Sequence, residues 1–185
     1  RRRTAGPGYV TGGFTGGNPR GEFAEKAKEA VKPGVTALKW YPFGKEDLRI
    51  SNADPDKALQ CVAAVRESVG NNVDLMIEGH GRFDVPTAVR IAGELAQFKP
   101  MWFEEPVPPD NLQALKAVKD KSPVAIAAGE RLYTRYNYRE LFAGRTTDYI
   151  QPDVSHAGGT MEPKKTAAAA GRVDKGLRHP TPRRT

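Results

Sequence analysis

Three glutamates follow short apolar runs: Glu78 closes VDLMIE, Glu104 closes PMWFE, and Glu130 comes directly after VAIAAG. The two intervals between them are 26 residues each. One βα unit of a parallel sheet takes roughly 25 residues: a strand of about five, a helix of about 10–15, and two short loops. The spacing therefore predicts each carboxylate at the same phase of successive units, at the C-terminal end of its strand. That end is where parallel sheets and barrels build their sites. Three carboxylates converging there repel one another unless a positive group sits between them, and a hard divalent cation takes oxygen ligands of this kind. Acidic residues also open ordinary loops; the repeated interval is what sets these three apart.

The elements that must position them alternate along the chain. YVTGGF (9–14) is strand-like, and Asn18-Pro19 turns into a helix over about 19–31 that Pro33-Gly34 stops. VTALKW (35–40) is the next strand, followed by a long loop and a helix over about 55–69, with Ala58, Cys61, Val62 and Val65 on its apolar stripe. Strands are predicted at 73–78, 100–105, 124–128 and 148–151, with helices at about 86–98, 112–119, 136–143 and 161–170. Each strand is a nearly continuous apolar run, as when both faces are covered. Strand–helix alternation repeated six times predicts an α/β fold, a partial (β/α)8 TIM-type barrel of about six βα units.

Bulk properties narrow the field. A chain of 185 residues can bury one good core but is short of the roughly 250 that a full barrel uses. No apolar run reaches the roughly 20 residues of a membrane span, and no signal peptide is evident, so no membrane partner is expected. The single Cys61 cannot form an internal disulfide, which makes a reducing cytoplasm the default. The net charge of +7 suggests nucleic acid at first sight, but Arg1, Arg2, Arg3 and residues 171–185 carry the whole excess. No nucleic-acid partner is expected from a middle that sums to neutrality.

Four motifs, LMIEGHGRFD, MWFEEPVPPDN, AAGERLYTRYNYREL and DYIQPDVSHAGG, occur in that order. Together they resemble the barrel domain of the mandelate racemase branch of the enolase superfamily, nearest to sugar-acid dehydratases of the galactonate dehydratase type. The resemblance covers roughly residues 9–170. It implies one Mg²⁺ held by Glu78, Glu104 and Glu130, and a sugar-acid substrate that loses its α-proton and then its β-hydroxyl, leaving a 2-keto-3-deoxy acid. A proton beside a carboxylate is very weakly acidic, so such chemistry needs fixed positive charge where the enediolate forms.

The resemblance also assigns roles residue by residue. His80, two residues past Glu78, is implied as the general acid for the departing hydroxyl. Lys39 ends the second strand, where the family places a lysine at the mouth of the site. Tyr41 stands where racemases of the branch carry a second lysine, which favours dehydration. Asp153 matches the aspartate that orients a catalytic histidine from the following strand, a pairing that fixes a tautomer and raises basicity. That histidine is due about 27 residues later, where Pro180 stands; His179 is one place off and is kept as the candidate. His156 is read as a substrate-pocket or structural residue. Glu78 replaces the more usual aspartate of the superfamily, and Glu105 and Glu140 are read not as ligands but as residues behind the ligands or on the surface.

Residues 1–8 are basic and rich in Gly and Pro, a composition that predicts disorder. After Ala170 the pattern of the units breaks, and residues 171–185 read as an aberrant basic tail such as a shifted reading frame would produce. The resemblance implies an N-terminal capping domain and two closing units that this stretch is not expected to contain, leaving two edge strands and an uncovered apolar interior. Sugar-acid dehydration is therefore expected of the full-length parent, a homo-oligomer. The alternatives are a racemase or cycloisomerase on the same platform, or an inactive fragment.

Overall fold

Alternation along each strand sends successive side chains to opposite faces, and this sorts the core into two layers. In the computed structural model, which describes residues 9–11, 20–31, 35–44, 53–157 and 159–173, the strands are β1 (Tyr9–Thr11), β2 (Ala37–Trp40), β3 (Asp74–Glu78), β4 (Trp102–Glu104), β5 (Ile126–Ala128) and β6 (Tyr149–Ile150). They form one parallel sheet in the order β1-β2-β3-β4-β5-β6. The helices between and after them are α1 (Arg20–Val31), α2 (Ala53–Val69), α3 (Val85–Leu95), α4 (Leu112–Lys119), α5 (Asn137–Ala143) and α6 (Met161–Val173). This is the partial βα barrel that the alternation predicts.

Leu38, Trp40, Leu75, Ile77, Phe103 and Ile126 belong to the layer between sheet and helices. The intervening residues Ala37, Met76, Trp102 and Ala127 form a separate inner cluster. An uncovered inner face was the expectation for an open barrel, but Met76, Trp102 and Ala127 are at most 2% exposed. The Trp102 indole fills the space, with its ring centroid 5.1 Å from that of Tyr149.

The elements end where their chemistry requires. Asp84 caps α3, its side chain accepting from the Thr87 N–H at 2.9 Å, and proline stands in the first turn. Thr87, Ala88, Ile91, Ala92 and Leu95 then make one buried stripe. Asn111 caps α4 in the same way through the Ala114 N–H. The helix predicted over 86–98 is α3 followed by a 3₁₀ turn, Ala96–Phe98. Arg66 joins that end to the start of β3, donating to the backbone oxygens of Phe98 (3.0 Å), Val73 (2.7 Å) and Gly70 (2.8 Å). That guanidinium fixes the N-terminal rim of β3 and leaves the opposite rim for the site.

Ile91 sits fully buried at the centre of the α3 stripe. Ile91→Ala should cost about 2–5 kcal/mol, read as a lower urea midpoint at unchanged slope; a midpoint equal to that of the parent would remove α3 from the core.

Candidate functional site

The inner layer ends in charge. Two residues beyond Ala37, Met76 and Trp102 on the same face stand Lys39, Glu78 and Glu104. Glu78 and Glu104 are direct register partners at the ends of β3 and β4. Both are buried, Glu104 completely. Lys39 pairs with Met76, one step lower, and its four-carbon stem carries the ammonium up to the carboxylates. Its Nζ lies 2.8 Å from Glu78 Oε2, contacts Glu104 Oε1, and is 3.7 Å from Glu130 Oε2. The three predicted ligands are thus brought together around a single cationic nitrogen.

Glu130 arrives by a different route from the one its spacing implies. Glu104 pairs with Ala127, so Glu130 lies beyond the end of β5 rather than in phase with the other two. Stagger between barrel strands moves successive units along the axis. The turn at Gly129, with φ of +130°, brings the carboxylate back. A side chain at that position would meet the Tyr138 ring and hydroxyl at 3.0 Å. The Tyr138 hydroxyl donates to the Gly129 carbonyl at 2.6 Å, and burial holds this phenol above its ordinary pKa.

Both oxygens of Glu104 are engaged, one by Lys39 and the other by the Trp102 indole N–H, which donates at 2.9 Å. Burial, reinforced by the Glu78 charge, pushes the Glu104 carboxyl well above its usual range, with Lys39 opposing. Burial alone would lower the Lys39 pKa, but the Glu104 and Glu78 charges outweigh it and hold the ammonium protonated. Glu78 turns its second oxygen to the His80 backbone N–H at 2.9 Å.

His80 stands in the left-handed region at φ 59°, its ring half exposed, 5.8 Å from the Tyr41 ring. Its Nδ1 is 4.0 Å from Glu78 Oε1. Glu78, His80 and Glu130 each offer an atom within 4.8 Å of the others. Asp153 accepts from the Ser155 N–H at 2.7 Å; desolvation alone would raise its pKa, but the Ser155 hydrogen bond and the nearby His156 together outweigh it and hold the carboxyl below its ordinary value. Its other oxygen lies 3.9 Å from His156 Nδ1. His156 is exposed, with Nδ1 3.4 Å from the Glu130 carbonyl and its ring edge-on to Tyr133. His179, with most of the tail, lies outside the described residues.

The site fits a hard cation on its donor set. Three carboxylates face one ammonium, whose single positive charge leaves the cluster negative, and Glu78, His80 and Glu130 offer ligand atoms within 4.8 Å of one another. Sequence reasoning gave Trp102 and Gln151 no role and set Glu105 behind the ligands or on the surface. Trp102 could have been found, since alternation places it under Glu104. Gln151, buried past β6 with no hydrogen-bond partner for its amide nitrogen among the described residues, gives no local signal. Glu105 belongs with Arg131: burial, then the charges of Glu130 and Glu78, push its carboxyl up to about 7 against the opposing Arg131.

Comparison with known proteins is consistent across sequence and structure. D-gluconate dehydratase from Thermoproteus tenax is 37% identical over 162 residues, covering 88% of this chain and 33% of that protein. D-gluconate/D-galactonate dehydratase from Picrophilus torridus is 34% identical over 160 residues, covering 86% of this chain and 41% of that protein. The chain thus spans a third to under half of the length of these curated relatives. A mandelate racemase/muconate lactonizing enzyme-like protein from Rubrobacter xylanophilus superposes with a TM-score of 0.83 at 35% identity, over 92% of this chain and 48% of its own. A member of the enolase superfamily from Salmonella Typhimurium gives a TM-score of 0.83 at 27% identity, over 91% of this chain and 48% of its own. The enolase C-terminal domain-like family model matches residues 22–178, which takes in every unit from α1 to α6, and the chain belongs to that family.

Proposed function

We propose that this chain carries the metal site and part of the acid–base machinery of an Mg²⁺-dependent sugar-acid dehydratase, a hydro-lyase acting on an aldonate such as gluconate or galactonate. The observation that supports this reading best is the gathering of Glu78, Glu104 and Glu130 about one cationic point. The dehydratase names of the relatives support the substrate class. Glu78, Glu104 and Glu130 would hold the ion, which when bound supplies positive charge opposite the developing enediolate.

The protein's own groups divide the remaining work. Glu104 is held by the Trp102 indole, so its free oxygen is aimed when Lys39 leaves it. Lys39, displaced from the carboxylates, remains as a positive group at the mouth of the barrel. His80 presents an exposed imidazole beside Glu78 and is assigned the proton delivered to the departing β-hydroxyl. Asp153 would orient the base that takes the α-proton, as a carboxylate orients an imidazole. Loss of the hydroxyl as water leaves an enol, which tautomerises to the 2-keto-3-deoxy acid.

One observation favours a second reading. Lys39 already supplies a cation to the cluster, so the four groups could form a purely structural ion-pair network. Calorimetric titration with Mg²⁺ separates the two. Binding is expected for the parent chain and should be lost or weakened at least about tenfold in Glu104→Gln, since each 1.4 kcal/mol is a factor of ten. Absence of heat in both would leave only the structural network. For the reaction, the chain extended to the length of its relatives should convert gluconate or galactonate with loss of one water by mass spectrometry. Product of unchanged mass would point to a racemase or cycloisomerase instead.

Lys39→Met gives an independent prediction. Removing one partner from a buried ionic cluster costs about 3–5 kcal/mol, so the melting temperature in chelator should fall. Excess Mg²⁺ should recover most of the loss, because an ion that binds only the folded state stabilises it. An equal fall with and without Mg²⁺ would mean that ammonium and ion do not share a place.

A further inference from the structure

Glu105 follows a proposed ligand in sequence but belongs to the other face of β4. Its backbone sits in the left-handed region, φ 37°, a conformation that a glutamate adopts only at a cost. Glu105 is 1% exposed and lines a cleft with Val107, Leu112, Leu115 and Leu132. A carboxylate there needs partners, and both it finds bracket Glu130. Oε1 accepts from the Gly129 N–H at 3.5 Å, and Oε2 faces Arg131 Nε at 3.4 Å. The latter is a contact of charges without hydrogen-bond geometry, since Oε2 has no hydrogen-bond donor among the described residues.

Arg131 continues across the rim. Its Nη2 donates to the His80 carbonyl at 3.2 Å. Its Nη1 passes over Gly81, where an added Cβ would approach it to 2.9 Å. The circuit closes through the backbone, because the Gly81 N–H donates to the Glu105 carbonyl at 2.6 Å. One ion pair therefore ties together the loops that follow β3, β4 and β5, the loops that carry or adjoin all three carboxylates.

We propose that the Glu105–Arg131 pair is a positioning device that sets Glu130 against Glu78 and Glu104, and so sets the cation affinity of the trio. Neither residue touches the cation. Both act through the residue between Gly129 and Arg131, whose carboxylate is the most exposed of the three and lies furthest from the central nitrogen. The inference rests on the metal reading above. It adds that groups outside the ligand set decide the strength of binding, as outer partners of metal ligands commonly do.

The test is Mn²⁺ binding to the chain by calorimetry, with the Mn²⁺ spin-resonance signal as a second readout. Glu105→Gln, Arg131→Met and the double variant are compared with the parent. Each single variant should weaken binding about tenfold, and the double variant should be no weaker than the poorer single, because both remove one interaction. Arg131→Lys, which keeps a charge for Glu105, should recover part of the loss. Variants that melt earlier but bind Mn²⁺ as tightly as the parent would overturn the proposal and leave the pair a structural one. A parent chain that binds no Mn²⁺ would instead sink the metal reading, and this inference with it. Should the variants fail to fold, Glu105→Asp carries the test, since it keeps the charge but withdraws it from Gly129 and Arg131. Weaker binding supports the proposal, and unchanged affinity overturns it.

Discussion

Like charges do not gather in a buried place unless something opposite holds them there, and this constraint organises the rim of the barrel. Glu78 and Glu104 are adjacent in register and nearly inaccessible to water. Burial, and then the neighbouring Glu78 charge, work against the ionised form of Glu104. The fold answers with Lys39, whose stem rises from the layer below and places one positive charge among three negative ones. The answer is incomplete by design of number: one ammonium cannot neutralise three carboxylates. The residual negative charge is what a divalent ion would satisfy better, and the same geometry that accommodates an ammonium at hydrogen-bond distance offers that ion its oxygens.

The sheet and the helices were readable because apolar runs and their punctuation recur with the period of the unit. α4 runs from Leu112 to Lys119 as the pattern predicts, and Asn111 caps it. The trio was readable for the same reason. What spacing could not carry was the stagger of the strands. Equal intervals of 26 residues place Glu78 and Glu104 side by side, yet leave Glu130 beyond the end of β5, returned to the cluster by a glycine turn. Lys39 was readable as a lysine at the mouth, but not as the centre of the cluster, because side-chain reach depends on register with Met76. Arg131 and Glu105 are 26 residues apart and meet only after both loops have turned, so neither local pattern nor composition marks them as a pair. The interior was misjudged for a volumetric reason: a tryptophan at position 102 fills space that a smaller residue would leave open.

The two faces of β4 divide the site's requirements between them. Inward, Glu104 supplies a buried carboxylate and Trp102 the indole N–H that holds it. Outward, Phe103 anchors the strand in the layer beneath the helices, where it packs near Phe43 and Phe83. Glu105 then leaves the strand in a conformation that regular pairing would not use, and its carbonyl and side chain reach the neighbouring loops on either side. A strand of three residues and the glutamate after it thus contribute to the core, the carboxylate cluster and the loop scaffold at once.

Strain in the backbone is distributed accordingly. Lys99 and Arg145 also have positive φ, but they follow the ends of helical segments, where left-handed residues are the ordinary way to stop a helix. His80 and Glu105 have no such excuse. They sit on the opposite rim from the Arg66 staple, within two residues of Glu78 and Glu104, and each is held by a hydrogen bond: Glu78 of the same unit takes the His80 N–H, and Ala127 of the next unit takes the Glu105 N–H. Conformations of this kind persist only where the surroundings over-determine them. One rim is stapled by an arginine to backbone carbonyls at the ends of helical segments; on the other, two non-glycine residues hold left-handed backbone beside the gathered carboxylates.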